Sequence, residues 1–442
     1  MGRLFGTDGI RGVANVDLTP ILAYDLGRAV GHLLEASGRR VVIGQDTRRS
    51  GGMLVAAVSA GLASVGADAI QLGVVTTPCL AHAAASGDFA AGIMVSASHN
   101  PADDNGLKVL SGGRKIDDEV EEELERLIFQ AESLPGRTNA GIGRITAASE
   151  PVAAYRASLV AQAGDALRGM RIGIDCANGS ASVIAPGLLR ELGASVTALS
   201  ADPDGVNINL DCGSNHPEAL AAAVVAGGLE LGMAFDGDAD RLIAVDEHGA
   251  IVDGDGVMGI CALAQLAAGT LRNGMLVTTV MSNGGLERAV TAAGGRLLRT
   301  PVGDRHVLEA MERADASLGG EQSGHVIFRD LAPTGDGILT AIQLVRTLRE
   351  AGATLAELAP LIPRLPQVVI NSTVRHRDQW EIDPEFAAAV TEADARLGAR
   401  GRILVRPSGT EPKIRIMVEG EDADEINQIA RELSQLASAR LN

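Results

Sequence analysis

The chain has 442 residues, more than one hydrophobic core usually serves, so several domains are expected. Its formal net charge of -18 argues against nucleic acid or an anionic membrane as a partner. Apolar residues make up 46% and aromatic residues 2%, so the cores are expected to consist of Ala, Val, Leu and Ile. Four scattered cysteines without a CxxC spacing, and an N-terminus without an apolar signal segment, predict a cytoplasmic protein with reduced thiols.

Strand-like and helix-like segments alternate along most of the chain, which is typical of α/β domains. In the first part, RRVVIG, ADAIQLGVV and FAAGIMVSAS are predicted strands, and SGGMLVAAVSAGLASVG and DDEVEEELERLIFQAE are predicted helices. The same alternation restarts at MRIGIDCANG and again at GMLVTTVMSN. After two prolines the pattern changes to antiparallel strands and a last helix. We therefore predict α/β domains at residues 1–150, 151–252 and 253–363, and an α+β domain at residues 364–442.

The sharpest motif is Asp236-Gly-Asp238-Ala-Asp240-Arg241, which follows an apolar strand. Three carboxylates at alternate positions of one loop repel each other unless a cation lies between them, and oxygen ligands favour a hard ion such as Mg²⁺. A solvated acidic turn is the plain alternative, which the position at a strand end weakens. A calcium-binding EF-hand does not fit, because Arg241 stands where that loop needs Gly.

A second loop, SASHNP at residues 96–101, also follows an apolar strand. A serine in such a loop is ordinarily a turn or capping residue. Beside a metal ion, Ser98 could instead carry a phosphate whose oxygen completes the coordination, with His99 and Lys108 lining the same pocket. The chain has no GxSxG segment, so serine-hydrolase chemistry has no support.

Two further loops place polar groups among glycines. GGEQSGH at residues 319–325 combines a carboxylate, a hydroxyl and an imidazole that can hydrogen-bond sugar hydroxyls, although an ordinary glycine-rich loop has the same letters. RPSGTEPKIR at residues 406–415 sets arginines on both sides of a Ser-Gly-Thr turn, as a phosphate cradle requires, and a hairpin with solvated charges is the alternative. GDGVMG at residues 254–259 matches a dinucleotide-binding GxGxxG and opens a predicted helix. It lacks the acidic residue after the next strand, so a glycine turn at a domain junction is predicted instead of a dinucleotide site.

In this order the motifs resemble those of the α-D-phosphohexomutase superfamily. GTDGIRG at residues 6–12, SASHNP, DGDADR and GEQSGH extend the resemblance along the whole chain. The resemblance implies an α/β fold, with three similar mixed-sheet α/β domains plus a C-terminal α+β domain around a central cleft. It also implies an isomerase that moves phosphate between the 6- and 1-positions of a hexose through a phosphoserine enzyme and a sugar 1,6-bisphosphate.

The resemblance further implies which residues form the site. Ser98 matches the phosphoserine, and a phosphoserine oxygen would hold one Mg²⁺ together with Asp236, Asp238 and Asp240. Positions that match the reaction centre are Arg11, His99, Lys108, Arg241 and His325. Positions that match the sugar-binding and phosphate-binding residues are Glu321, Ser323, Arg406, Ser408, Gly409, Thr410 and Arg415. The implied activator is a sugar 1,6-bisphosphate, and the implied partner is a small phosphosugar, with no nucleic acid, no membrane and a monomer or homodimer as the assembly.

Several alternatives stay open. MGRLFGTDGIRGVAN and GGEQSGH most resemble superfamily members that act on glucosamine phosphates, and a phosphoglucomutase or phosphomannomutase is the alternative. The residues alone also allow a metal-dependent phosphatase or kinase, or a non-enzymatic binding protein for sugar phosphates or divalent ions. The superfamily's metal loop reads DGDGDR, whereas this chain has Ala239. If that position needs a positive φ, alanine costs on the order of 1 kcal/mol.

Overall fold

The computed structural model describes residues 4–6, 8–34, 39–407 and 412–442. The first unit is a mixed sheet covered by helices, with strand order β1-β2-β6-β5-β3-β4-β8 and β7 paired to β6. Its strands are β1 Phe5–Gly6, β2 Gly9–Val13, β3 Arg40–Gln45, β4 Asp68–Val74, β5 Ala91–Val95, β6 Asp104–Ser111, β7 Arg114–Lys115 and β8 Ile145–Ala147. Its helices are α1 Pro20–Leu33, α2 Gly51–Ser64, α3 Thr77–Ala85 and α4 Asp118–Ile128.

Two further α/β units follow. The second contains α5 Glu150–Ala163, β9 Arg171–Asp175, α6 Ala181–Glu191, β10 Ser195–Leu199, α7 Glu218–Gly227, β11 Leu231–Phe235, β12 Leu242–Val245 and β13 Ile251–Val252. The third contains α8 Gly254–Ala268, β14 Met275–Thr279, α9 Gly284–Ala292, β15 Arg296–Thr300, α10 Asp304–Arg313, β16 Leu318–Gly320, β17 Val326–Phe328, α11 Gly337–Ala351 and α12 Leu355–Leu358.

The three α/β units repeat one strand arrangement. In each, parallel strands lie side by side, in the orders β5-β3-β4, β11-β9-β10 and β16-β14-β15. An antiparallel strand, β6, β12 or β17, then pairs with the first strand of each set. The segments SASHNP, DGDADR and EQSGH occupy the same connection in their three sheets. Because this connection leaves the carboxyl end of a parallel strand, it lies where α/β folds place their functional groups.

The last unit has a different architecture. Its strands β18 Gln367–Thr373, β19 Gly401–Pro407 and β20 Lys413–Gly420 pair in antiparallel fashion in the order β18-β20-β19. Helices α13 Pro384–Leu397 and α14 Ala423–Arg440 pack against this sheet. Mixed α/β sheets followed by an α+β unit confirm the predicted fold class. No helix in the described ranges combines the length and the apolar character that a bilayer crossing requires.

The cores show how the units are joined. The first and last units have separate buried clusters of aliphatic side chains, as the low aromatic content predicts. The second and third units share one cluster, in which Phe235 of β11 and Leu339 of α11 are both buried, and Val75 and Cys79 of the first unit add to its edge. These two units therefore pack as one continuous body. Burial of apolar surface at such an interface stabilises it by roughly 25 cal/mol per Å².

The segment GDGVMG opens a helix, as predicted. Residues 254–259 are the first turns of α8, which Asp253 caps by accepting the N–H of Gly256 at 3.2 Å, so its glycines lie in the helix and not in a separate turn. Packing explains why residue 254 is a glycine. A Cβ at Gly254 would lie 2.3 Å from the carbonyl oxygen of Glu321, so only glycine lets α8 approach the EQSGH loop this closely.

Candidate active site

The metal loop joins β11 to β12 and carries Asp236, Asp238 and Asp240. One oxygen from each carboxylate lies within 4.8 Å of the others, and all three side chains are buried. The N–H of Ala239 donates to the carbonyl of Asp236 at 3.1 Å, which closes a tight turn. Ala239 has a φ of 58°, so the positive φ considered for this alanine is present. The turn brings alternate side chains to one side of the loop.

The electrostatics of the loop fit a cation. Burial and the charges of Asp240 and Asp238 raise the pKa of Asp236 well above its ordinary value. Oδ1 of Asp238 and Oδ1 of Asp240 are buried and accept no hydrogen bond from any residue that the structure describes. Unpaired carboxylate oxygens are costly in an interior, so the donor set suits an ion between them. Oxygen-only ligands are those that Mg²⁺ prefers.

Neighbouring side chains hold the carboxylates in place. Asp238 accepts hydrogen bonds from Thr77 Oγ1 at 2.6 Å and from Lys108 Nζ at 2.8 Å. The backbone N–H of Thr77, at the start of α3, also donates to the Asp238 carbonyl at 3.0 Å. Asp236 accepts the N–H of Arg241 at 3.3 Å. The orientation of the metal loop is therefore set partly from the first unit.

Ser98 lies directly against the metal loop. Its backbone is left-handed, with a φ of 51°, and its side chain is buried. Ser98 Oγ donates to Asp236 Oδ2 at 2.6 Å. Ser96 differs, because its hydroxyl donates to Asp46 at 2.6 Å and accepts the Ser98 N–H at 3.0 Å. Of the two hydroxyls in SASHNP, that of Ser98 is therefore the one that contacts a carboxylate of the metal loop.

Positive charges surround these groups. Lys108 on β6 is buried, with Nζ 3.1 Å from Asp8. Burial opposes its charge, but Asp238 and Asp8 outweigh burial and raise the pKa of this ammonium. Arg11 hydrogen-bonds Asp8, and Arg241 Nε lies 4.0 Å from Asp236. Cations placed around a buried hydroxyl suit a phosphate at that position.

The two histidines have different surroundings. Nδ1 of His99 lies 3.4 Å from Ser98 Oγ. Burial and the neighbouring arginines lower the pKa of His99 to about 4, so its ring is neutral at pH 7.

His325 is buried beside the metal loop. Gly335 N–H donates to its Nε2 at 3.2 Å, so Nδ1 carries the proton of the neutral ring and faces Asp240 at 3.4 Å. Burial opposes a charge on this ring, whereas Asp240 and Asp304 favour one and raise its pKa. Nε2 also lies 3.7 Å from Asp304 Oδ2, so both ring nitrogens are close to carboxylates. His325 therefore contacts Asp240 of the metal loop and Asp304 of the third unit.

The EQSGH loop adjoins the metal loop. Leu242 N–H, just after the metal loop, donates to the Gly324 carbonyl at 3.0 Å. Glu321 accepts the N–H of Gly303 at 3.1 Å, and Ser323 is exposed. Gly324 has a φ of 96°, and a Cβ there would lie 2.3 Å from the Leu242 carbonyl. Glycine is therefore required for the close approach of the two loops.

The arginine hairpin of the last unit forms a separate cluster. Arg406 on β19 and Arg415 on β20 are direct cross-strand partners, and burial with the charge of Arg415 lowers the pKa of Arg406. Like charges in this position repel, so an anion between them would be stabilising. Within the described residues, no hydrogen bond or ion pair joins either arginine to the metal loop. Ser408, Gly409 and Thr410 of the predicted phosphate loop lie outside the described residues.

Several contacts in the site were not predicted. Asp8 pairs with Arg11, Lys108 and Lys115, and Thr77 holds Asp238. Asp8 is part of GTDGIRG, so a count of charges around that motif could have indicated it. Nothing near Thr77 in sequence signals its contact, because α3 meets the metal loop only in the folded chain.

Comparison with known proteins shows the family and enzyme class of this chain. The chain matches four family models: phosphoglucomutase/phosphomannomutase alpha/beta/alpha domain I at residues 2–135, domain II at 153–249, domain III at 253–365 and the C-terminal domain at 369–436. The chain therefore belongs to the phosphoglucomutase/phosphomannomutase family and is a mutase, an enzyme of the isomerase class.

Individual members of the family show which proteins this chain is similar to. A phosphoglucosamine mutase of Moorella thermoacetica is 50% identical over 442 residues, covering 99% of this chain and 100% of that protein. A phosphoglucosamine mutase of Symbiobacterium thermophilum is 52% identical and is covered over 100% of both chains. A crystal structure of a phosphoglucomutase/phosphomannomutase family protein from Burkholderia thailandensis has a TM-score of 0.84 at 28% identity, covering 98% of this chain and 97% of that one.

Proposed function

We propose that this mutase interconverts glucosamine 6-phosphate and glucosamine 1-phosphate, with Ser98 as the carrier of the phosphate. The observation that carries the proposal is the hydrogen bond of 2.6 Å from Ser98 Oγ to Asp236, within a buried cluster of three carboxylates. The full-length relatives named phosphoglucosamine mutase support the choice of an amino sugar.

The chemistry is two phosphoryl transfers in opposite directions. In the first, the bond between phosphorus and Ser98 Oγ breaks and a bond forms to the free hydroxyl oxygen of the sugar monophosphate. The sugar hydroxyl loses its proton and Ser98 Oγ gains one. The resulting sugar 1,6-bisphosphate then reorients in the site, so that its other phosphoryl group is transferred to Ser98. A bisphosphate supplied from outside would charge the unmodified serine, which makes it an activator.

The residues around Ser98 divide this work. Mg²⁺, held by Asp236, Asp238 and Asp240 with an oxygen of the phosphorylated serine, would neutralise negative charge on the transferred group. Lys108, Arg11 and Arg241 add positive charge on the protein side. We assign Glu321 and Ser323 to the sugar hydroxyls. We assign the phosphate that is not reacting to Arg406, Ser408, Gly409, Thr410 and Arg415.

The cellular setting belongs to the same proposal. The product would feed amino-sugar nucleotide and peptidoglycan precursor synthesis. We place the enzyme in the cytoplasm, since Cys79, Cys176, Cys212 and Cys261 are all free and buried, which suits a reducing compartment. A monomer or a homodimer is the proposed assembly.

A substrate panel tests the proposal. Glucosamine, glucose and mannose 6-phosphates are each incubated with the enzyme, Mg²⁺ and a trace of the matching sugar 1,6-bisphosphate. We expect the highest kcat/KM for glucosamine phosphate and residual activity with glucose phosphate, because one substituent at C2 is worth only about 1–3 kcal/mol. A preference for glucose or mannose phosphate would contradict the proposed substrate, and inactivity with all three would contradict the proposed function.

A further inference from the structure

Two backbone carbonyls of the SASHNP loop each receive two side-chain donors from different parts of the chain. Arg48 Nη2 donates to the carbonyl of Ser98 at 3.0 Å and to that of Asn100 at 2.8 Å. Asn209 Nδ2 donates to the same two oxygens at 2.9 Å each. Four hydrogen bonds thus converge on two carbonyls inside the SASHNP loop, one of which belongs to Ser98 itself.

The two donors have different anchors. Arg48 belongs to the first unit and is 2% exposed, with Nε bound to Asp46 at 2.8 Å. Asn209 comes from the second unit, between β10 and α7, and its N–H donates to the carbonyl of Ala177 at 2.9 Å. Asn209 has a φ of 59°, a conformation that asparagine tolerates better than most residues. Arg48 therefore holds the loop within its own unit, and Asn209 links it to the unit that carries the metal loop.

A third element meets this contact. A Cβ at Gly237 of the metal loop would lie 2.5 Å from the Ser98 carbonyl oxygen and 3.0 Å from Asn209 Nδ2. The metal loop thus packs directly on the carbonyl that Asn209 holds. Since both partners of the Asn209 side chain are carbonyl oxygens, its amide must present nitrogen to them, which fixes its orientation.

We infer that Asn209 is a positioning residue, which holds the Ser98 carbonyl against the metal loop so that Ser98 Oγ stays next to Asp236. Ser98 needs this support because its left-handed backbone is unfavourable for serine. The effect of Asn209 on the rate of turnover rests on the proposed function of Ser98, whereas its effect on the position of the SASHNP loop does not. A displacement of about 1 Å at a reacting group can cost about a hundredfold in rate, so a small shift of this loop matters.

The test uses variants that separate the amide from the backbone. Asn209→Gly removes both hydrogen bonds and keeps the positive φ without strain. Asn209→Asp has the same size but presents oxygen to two carbonyls. Asn273→Gly is the matched control, because Asn273 also has a positive φ of 56° and donates Nδ2 to two carbonyls at 3.2 Å, at an exposed position in the third unit.

Hydrogen exchange of the peptide covering residues 96–104 and steady-state kinetics are measured for all four proteins. We expect faster exchange in Asn209→Gly, with kcat lowered about ten- to a hundredfold and KM within about threefold of wild type. Asn209→Asp should have a still lower kcat, and Asn273→Gly should match wild type in both hydrogen exchange and kinetics. Unchanged exchange or unchanged kcat in Asn209→Gly would overturn the inference. An inactive wild type would overturn the proposed function alone, since the exchange result still decides the role of Asn209.

Discussion

The buried carboxylates of the metal loop make a direct prediction for ion binding. Asp236, Asp238 and Asp240 repel one another in the absence of a cation, so Mg²⁺ should stabilise the folded chain. At a free concentration one hundred times its Kd, a ligand of the folded state adds about 2.7 kcal/mol to the free energy of unfolding. We expect unfolding in urea to shift accordingly between EDTA and Mg²⁺, and Asp238→Asn to lose most of the shift.

Asp246→Asn is the control for this experiment. Asp246 is also buried in the second unit, but it accepts the N–H groups of His248 and Ala250, which an asparagine oxygen can still do. This variant should keep the Mg²⁺ shift. Identical unfolding of the wild type in EDTA and in Mg²⁺ would contradict the assignment of the metal site.

Some residues of the site could be predicted from the sequence and others could not. The three aspartates could be predicted because their spacing alone places them on one loop. Thr77 and Asn209 could not, since each contacts the site from a segment more than a hundred residues from its partner. A lone threonine or asparagine has no pattern, and its role depends on how the units pack.

At the scale of elements, the start of α11 contains a buried acid that should affect stability. Asp336 caps α11 by accepting the N–H of Leu339 at 2.9 Å, and it accepts the hydroxyl of Tyr155 at 2.8 Å, which joins α11 to α5. Burial raises the pKa of Asp336 from 3.8 to about 6. The folded protein therefore binds this proton more tightly than the unfolded chain does. The resulting stability is full below pH 3.8 and is lost as the pH rises through about 6.

Asp336→Asn tests this account, because asparagine can keep the cap and has no charge. Between pH 4 and pH 7 we expect the variant to gain about 2 kcal/mol in unfolding free energy relative to wild type. Asp383→Asn is the matched control at the cap of α13, where a hydrogen bond from Arg440 lowers the pKa of Asp383. That variant should lose relative stability as the pH rises. A difference between Asp336→Asn and wild type that does not change with pH would contradict the buried charge.

Other elements show why local patterns reach only part of the fold. The strands that end at SASHNP and DGDADR are uninterrupted apolar runs and were predicted, whereas β16, which ends at EQSGH, is only Leu318–Gly320 and was not. β6 begins at Asp104, inside a segment that reads as a polar loop, and it becomes a strand because it pairs with both β2 and β5. α13 was not predicted, although Asp383 and Pro384 form an ordinary helix start.

At the scale of the whole molecule, hydrogen bonds from an ion pair within the last unit hold that unit to the third. Arg402 donates to Glu419 at 3.0 Å and to the carbonyls of Val280 and Ser282 at 2.8 and 2.6 Å. Glu419 also accepts the N–H of Gly284 at 2.8 Å, and its side chain is 1% exposed. The contact joins β19 and β20, which carry the arginine hairpin, to the end of β14. The domain boundaries at residues 150, 252 and 363 remain predictions.

Removing Arg402 should loosen this junction. Arg402→Ala leaves Glu419 buried without its cation, which costs on the order of 2–4 kcal/mol in unfolding free energy. We also expect a higher KM for the phosphosugar, because the hairpin is the proposed phosphate grip. Arg400→Ala is the control, since Arg400 pairs with Glu425 on the surface of the same unit and its loss should change little. Equal stability and KM in the two variants would exclude this role for Arg402.

The central claim is that Ser98 carries the phosphate, and mapping the phosphorylated residue tests it most directly. The enzyme is incubated with a sugar 1,6-bisphosphate and Mg²⁺, digested, and analysed by mass spectrometry beside Ser98→Ala. We expect phosphate on Ser98 in the wild type, no phosphate on the loop in the variant, and a loss of mutase turnover of several orders of magnitude. Phosphate on Ser96, or turnover that survives in Ser98→Ala, would contradict the claim.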